Sequence, residues 1–351
     1  MIIETQMPLG KIDPGLRTPP TPLDIAAVGE QARLAEALGY DGIVTEETKD
    51  DPYIVMALAA QATSRIALAT GVAIAFPRSP TVTAMSAWTL AKLSAGRFTL
   101  GLGSQVKGHI ERRFGFKWSP PGPWMREYIQ AVRALWDCWQ NGTKLDVQGE
   151  HYRLNLVVPL FAPAPIEHPD IPIHLAAVNP YMCQVAGEVA DGIRTHPICT
   201  PRYIAEVMWP AARKGAARAG RELNGFAMGA MPLIATAADK TTLESRVRDV
   251  RARIAFYAST PAYLIAFESE GYGDVARELQ QYSRAQRWEE MPRFVDDAML
   301  DTYAVTGTHD EIAGNLRARF DGCATHLQFA IPAAGAVEQA VLRELLASLR
   351  A

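Results

Sequence analysis

The sequence predicts a (β/α)8 TIM barrel, an α/β fold with insertions at the C-terminal face. Three observations carry that expectation. Eight short apolar runs of strand-like composition alternate along the chain with amphipathic helical stretches. The run at 65–76, RIALATGVAIAF, is apolar almost throughout, as suits a parallel strand covered on both faces. No early GxGxxG follows the first strand, which favours a barrel over a dinucleotide-binding sheet. At 351 residues, a single barrel domain over 1–351 is long enough to hold insertions at about 142–170 and 259–302.

The first strand is expected at Ile2–Met7, followed by a Pro- and Gly-rich loop from Lys11 to Pro20. Thr21 and Pro22 read as a helix N-cap and its first residue. Ile25, Val28, Ala32, Ala35 and Leu38 recur at helical spacing, and Gly39 closes the helix. Ile43 and Val44 centre a second strand that ends in Thr45, Glu46 and Glu47. A helix over 52–63, the third strand at 65–76 and a helix over 80–93 come next. Phe98, Leu100 and Leu102 alternate with small residues in a fourth strand running into Gly103, Ser104 and Gln105.

A strongly amphipathic helix spans 123–139, and 144–156 alternates like a hairpin turning at Gly149 and Glu150. Five prolines mark 159–172 as irregular. The fifth and sixth strands are expected at 173–178 and 192–197, with Asn179 and Pro180 opening a helix between them. A helix over 202–219, a seventh strand at 226–237 and a helix over 240–258 follow. Thr308 and Glu311 form a capping-box pattern for a helix to Phe320. The eighth strand is expected at 325–332 and the last helix at 337–349.

The formal charge is −3, with both signs interspersed, so nothing favours nucleic acid or an anionic membrane as partner. Cys138, Cys183, Cys199 and Cys323 lie far apart without CxxC spacing, as expected of reduced thiols in a cytoplasmic protein. There is no HxH or HExxH, so no metal site is expected, and no GxSxG.

In a barrel, chemistry gathers where strands meet their following loops. Glu46 and Glu47 are placed there to accept a proton or hold a polar ligand, and equally to pair with arginine. Gly71 inside the third strand marks a bulge, a ligand approach or simple packing. Gly101 and Gly103 open the backbone to a ligand or serve a tight turn. His109, Arg112 and Arg113 share a helical face suited to an anion or to solvent. Asn179 opens a helix whose N-terminus suits phosphate, and His196 is a candidate for proton transfer. Few strongly catalytic groups around an open mouth fit a bound organic cofactor.

The chain resembles the bacterial luciferase-like superfamily, closest to its coenzyme F420-dependent oxidoreductase branch. The resemblance rests on AEALGYDGIVTEE (35–47), SRIALATGVAIAFPRSP (64–80), LAKLSAGRFTLGLGSQ (90–105), VAGEVADGI (185–193) and AVTGTHDEIAGNL (304–316). It implies a cis peptide at Gly71-Val72 in a bulged third strand. It places the cofactor ring near Thr45, Glu46, Gly71, Val72, Gly103, Ser104 and Gln105. The phosphate and tail would lie near Val178, Asn179 and His196. Several deazaflavin relatives end the second strand in Asp-His; here the positions read Glu46-Glu47. That departure counts against a sugar-phosphate dehydrogenase and leaves Glu46, Glu47, Gln105, His109 and His196 as catalytic candidates.

The expected activity is hydride transfer between F420 and a small organic substrate. The alternatives are an FMNH2-dependent monooxygenase, with FMN as cofactor, and a non-catalytic cofactor-binding protein. A homodimer or higher homo-oligomer is expected from the resemblance.

Overall fold

The computed structural model describes residues 1–11 and 22–351. The ring is built from β1 (Ile2–Gln6), β2 (Gly42–Thr45), β3 (Ala67–Thr70) with its continuation β4 (Ala73–Ile74), and β5 (Phe98–Gly103). Past a hairpin of β6 (Val147–Gln148) and β7 (Arg153–Leu154) come β8 (Ile173–Ala176), β9 (Gly192–Arg194) and β10 (Ala227–Ala230). Past a side pair of β11 (Leu233–Ala237) and β12 (Ala304–Thr308), β13 (His326–Gln328) closes the ring against β1. Every ring pairing is parallel, and β3 pairs with β5, so no edge is left open. This is the expected (β/α)8 barrel.

Alternation along the strands sorts inside from outside. Glu4 and Arg194 form an ion pair although β1 and β9 are not neighbours, so the pair crosses the barrel interior. Ile3, Ile43, Leu68, Leu100, Leu175, Ile193, Met228 and Leu327 are buried, one per ring strand. Flanking helices cover them. A buried ion pair gains little net energy over apolar residues of similar size, whereas removing one partner is strongly destabilising.

Several boundaries differ from the sequence expectation. The seventh strand is two: β10 stays in the ring, while β11 pairs with β12 outside it. The break falls at Met231-Pro232, where proline has no N–H for a ladder. The 259–302 excursion is largely helical and ends just before β12. The third strand breaks at Gly71-Val72, and the eighth is only His326–Gln328. The helix expected to start at Pro22 begins as a 3-10 turn at Ile25, capped by Asp24, and becomes α-helical at Val28. The Thr21 cap, like the rest of 12–21, lies outside the described residues.

Other signals hold. Asn179 caps Pro180–Val189, and the Glu311 carboxylate accepts from the Thr308 N–H at 2.9 Å. The hairpin turn leans on Glu127, which accepts from the N–H groups of Glu150 and His151. Cys138, Cys183 and Cys199 are buried free thiols. No helix among the described residues is long and apolar enough to cross a membrane.

Candidate active site

At the mouth, β3 and β4 run beside β5, but the register slips by one residue across Thr70–Val72. This is a β-bulge in a parallel pair. The Gly71-Val72 peptide is cis, as the resemblance implied. Gly71 donates to the Thr45 carbonyl at 2.7 Å, and the Thr70 hydroxyl exchanges hydrogen bonds with the Gly101 backbone at 2.7 and 2.8 Å.

The glycines here serve the bulge. A Cβ on Gly101 would sit 1.8 Å from the Thr70 carbonyl oxygen, and one on Gly103 would sit 2.5 Å from Val72 Cγ2. Their missing side chains let strand pack on strand. The result is a ledge on which Thr45, Gly71, Val72, Ser104 and Gln105 lie on neighbouring strand ends.

The two glutamates after β2 have different surroundings. Glu47 accepts from Arg78 Nη1 at 2.7 and 2.8 Å and from the Ile74 N–H at 2.7 Å, with its side chain 10% exposed. Burial alone would lower the Arg78 pKa, but its bonds to Glu47 and Asp51 raise it. Glu47 is therefore a brace between β2 and β4. Glu46 instead accepts from Gln6 Nε2 at 2.8 Å and Lys11 Nζ at 3.3 Å. Gln6 Nε2 also donates to Gln328 Oε1 at 3.0 Å, tying β1, β2 and β13 together at the mouth.

The remaining candidates are spread around the rim. Gln105 has a left-handed backbone, φ 57°, and its side chain accepts from the adjacent Val106 N–H at 2.8 Å. His109 is exposed on the short helix Lys107–Arg112. Asn179 Oδ1 accepts from the Met182 N–H at 2.9 Å, capping the helix end expected to seat phosphate. The Val178 carbonyl accepts from the Tyr203 hydroxyl at 2.9 Å. His196 is packed between Tyr257 and Tyr263, with ring centroids 4.6 and 4.1 Å away. Burial pushes its pKa down to about 3, so the imidazole is neutral at ordinary pH. Trp124 stacks on Phe76 with ring centroids 3.7 Å apart, and Phe161 is 76% exposed.

Sequence reasoning did not single out Gln6, Lys11, Arg78 or Gln328. Gln6 and Gln328 each end a ring strand, and that position was the available signal. Arg78 lies beyond the third strand and reaches Glu47 only through the fold.

A family model described as luciferase-like monooxygenase matches residues 8–326. The chain belongs to this family. Within the luciferase-like proteins, it is 42% identical over 301 residues to the uncharacterised protein Rv1360 of Mycobacterium tuberculosis, covering 86% of this chain and 88% of that one. Its fold matches the coenzyme F420 dependent tetrahydromethanopterin reductase of Methanopyrus kandleri with TM-score 0.74 at 20% identity, covering 98% and 96% of the two chains. It matches EDTA monooxygenase of Chelativorans sp. BNC1 with TM-score 0.75 at 15% identity, covering 100% and 93%. Luciferase-like relatives thus include F420-dependent oxidoreductases and monooxygenases.

Proposed function

We propose that this luciferase-like chain is an oxidoreductase that binds coenzyme F420 at its barrel mouth and reacts it with a small organic substrate. The observation that carries the reading is the ledge of β2, the bulged β3–β4 and β5. Its backbone and small side chains suit one face of a flat ring, and the Gln6 amide and Glu46 carboxylate suit the ring's polar edges. When bound, the deazaflavin supplies the carbon that gives or takes a hydride.

The chain's own groups position and protonate. Thr45, Gly71, Val72, Gly103, Ser104 and Gln105 orient the ring. Glu47 and Arg78 hold β4 against β2 and so keep the ledge in shape. Glu46, with Lys11 Nζ 3.3 Å away, is the carboxylate placed to exchange a proton at the mouth. The His196 imidazole, neutral and wedged between tyrosines, bounds the site as an uncharged wall.

A second reading, reduced FMN with oxygen in a monooxygenase, is favoured by the family's own description and by the fold match to EDTA monooxygenase. Fluorescence titration of the purified protein with F420 and with FMN separates them. Saturable F420 binding without FMN binding is the expected result. Tight FMN binding with none for F420 would overturn the first reading.

A further inference from the structure

Across Glu46 from the ledge lies a cavity of ≈ 120 Å³ whose walls include Gln6, Lys11 and Gln328 with Met231, Leu233 and Phe329. A cavity of about 150 Å³ accommodates benzene, so this one takes the end of a molecule near one ring in size. Its apolar side comes from β11 and the residues after β10 and β13. Its polar side presents donors. The Oε1 of Gln328 is occupied by Gln6, which leaves its Nε2 to donate. Lys11 Nζ spends one N–H on Glu46 and retains two.

Among the described residues, the charges on the cavity wall and directly beside it are two of each sign. Lys11 is matched by Glu46. Asp249 and Arg253, both on the wall, contribute one charge of each sign. A half-apolar cavity with charges of both signs and free N–H donors on Lys11 and Gln328 selects an uncharged molecule with an oxygen acceptor.

We propose that this cavity seats the substrate, and that the substrate is a neutral carbonyl compound about one ring in size. Its oxygen is held by Lys11 Nζ and Gln328 Nε2. The inference rests on the redox reading of the mouth, but binding is measured without cofactor, so the two fail separately.

The test is ligand-observed NMR on the full chain with four probes of matched size: acetophenone, benzoate, benzylamine and toluene. Acetophenone is expected to bind at least tenfold more tightly than toluene. Lys11→Met and Gln328→Leu should each weaken acetophenone about tenfold while leaving toluene unchanged, with circular dichroism confirming the fold of both variants. Equal binding of acetophenone and toluene, preference for benzoate or benzylamine, or indifference to both substitutions would overturn the assignment. F420 fluorescence in the same samples reports on the cofactor reading: probe binding without F420 binding would sink that reading and leave the cavity assignment standing.

Discussion

Adjacent residues of one type part ways at Glu46 and Glu47. Both follow β2, yet Glu47 is bound on two sides by Arg78 and the Ile74 N–H, while among the described residues Glu46 accepts from Gln6 and Lys11. A carboxylate held by guanidinium and amide has both oxygens engaged and serves as a brace. His196 shows a related effect. Its pKa falls from the ordinary 6.5 to about 3 through burial. The unfolded chain therefore takes up a proton below about pH 6.5 that the folded chain refuses. The stability this site contributes is complete above pH 6.5 and is lost progressively as pH falls toward 3. His196→Phe is expected to show a shallower drop in urea midpoint than the parent between pH 6.5 and 4.5. His174 and His326, also lowered by burial, titrate in both proteins and cancel in the comparison. Parallel declines in the two proteins would refute the account.

Elements are joined here by contacts made at their ends. The bulge between β3 and β4 exists because β5 carries glycine at 101 and 103, so the shape of one strand is stored in the sequence of its neighbour. Gly101→Ala forces a methyl into the Thr70 carbonyl, a backbone atom with nowhere to retreat. Overpacking of this kind costs about 3 kcal/mol or more. The expected outcome is a urea midpoint lowered accordingly, together with loss of cofactor binding. A variant as stable as the parent would show that β5 does not shape the bulge. The same dependence on neighbours explains β11. Once Pro232 ends the seventh ring strand, the remaining apolar run pairs with β12 instead, forming the outer wall of the mouth.

For the whole molecule, closure of the ring leaves no ring-strand edge to pair with another chain, which turns attention to the helices. The helices Pro52–Ala62 and Pro80–Leu93 carry exposed Ile54, Val82, Met85 and Leu93, at 58, 53, 47 and 46%. A homodimer packed through these helices is expected. Light scattering should give twice the chain mass, and Ile54→Glu with Met85→Glu should halve it. A monomeric parent protein would refute the expectation.

Periodicity in the sequence was enough to determine the barrel. Each ring strand carries a large apolar residue, each helix a buried stripe, and caps such as Asn179 and Thr308 announce their helices locally. These are near-neighbour effects, and near neighbours are what a sequence displays. Local signals also marked the mouth, because strand ends can be counted. Tertiary structure alone decided what the residues there do. Glu47 became a brace because Arg78 reaches it, Asn179 turned inward on its own helix, His196 lost its charge to two tyrosines from beyond 256, and Gln6 met Gln328 from the opposite end of the chain. The physical reason is that hydrogen bonding and desolvation act through space over a few ångströms, and closing the ring brings together groups such as Gln6 and Gln328, 322 positions apart.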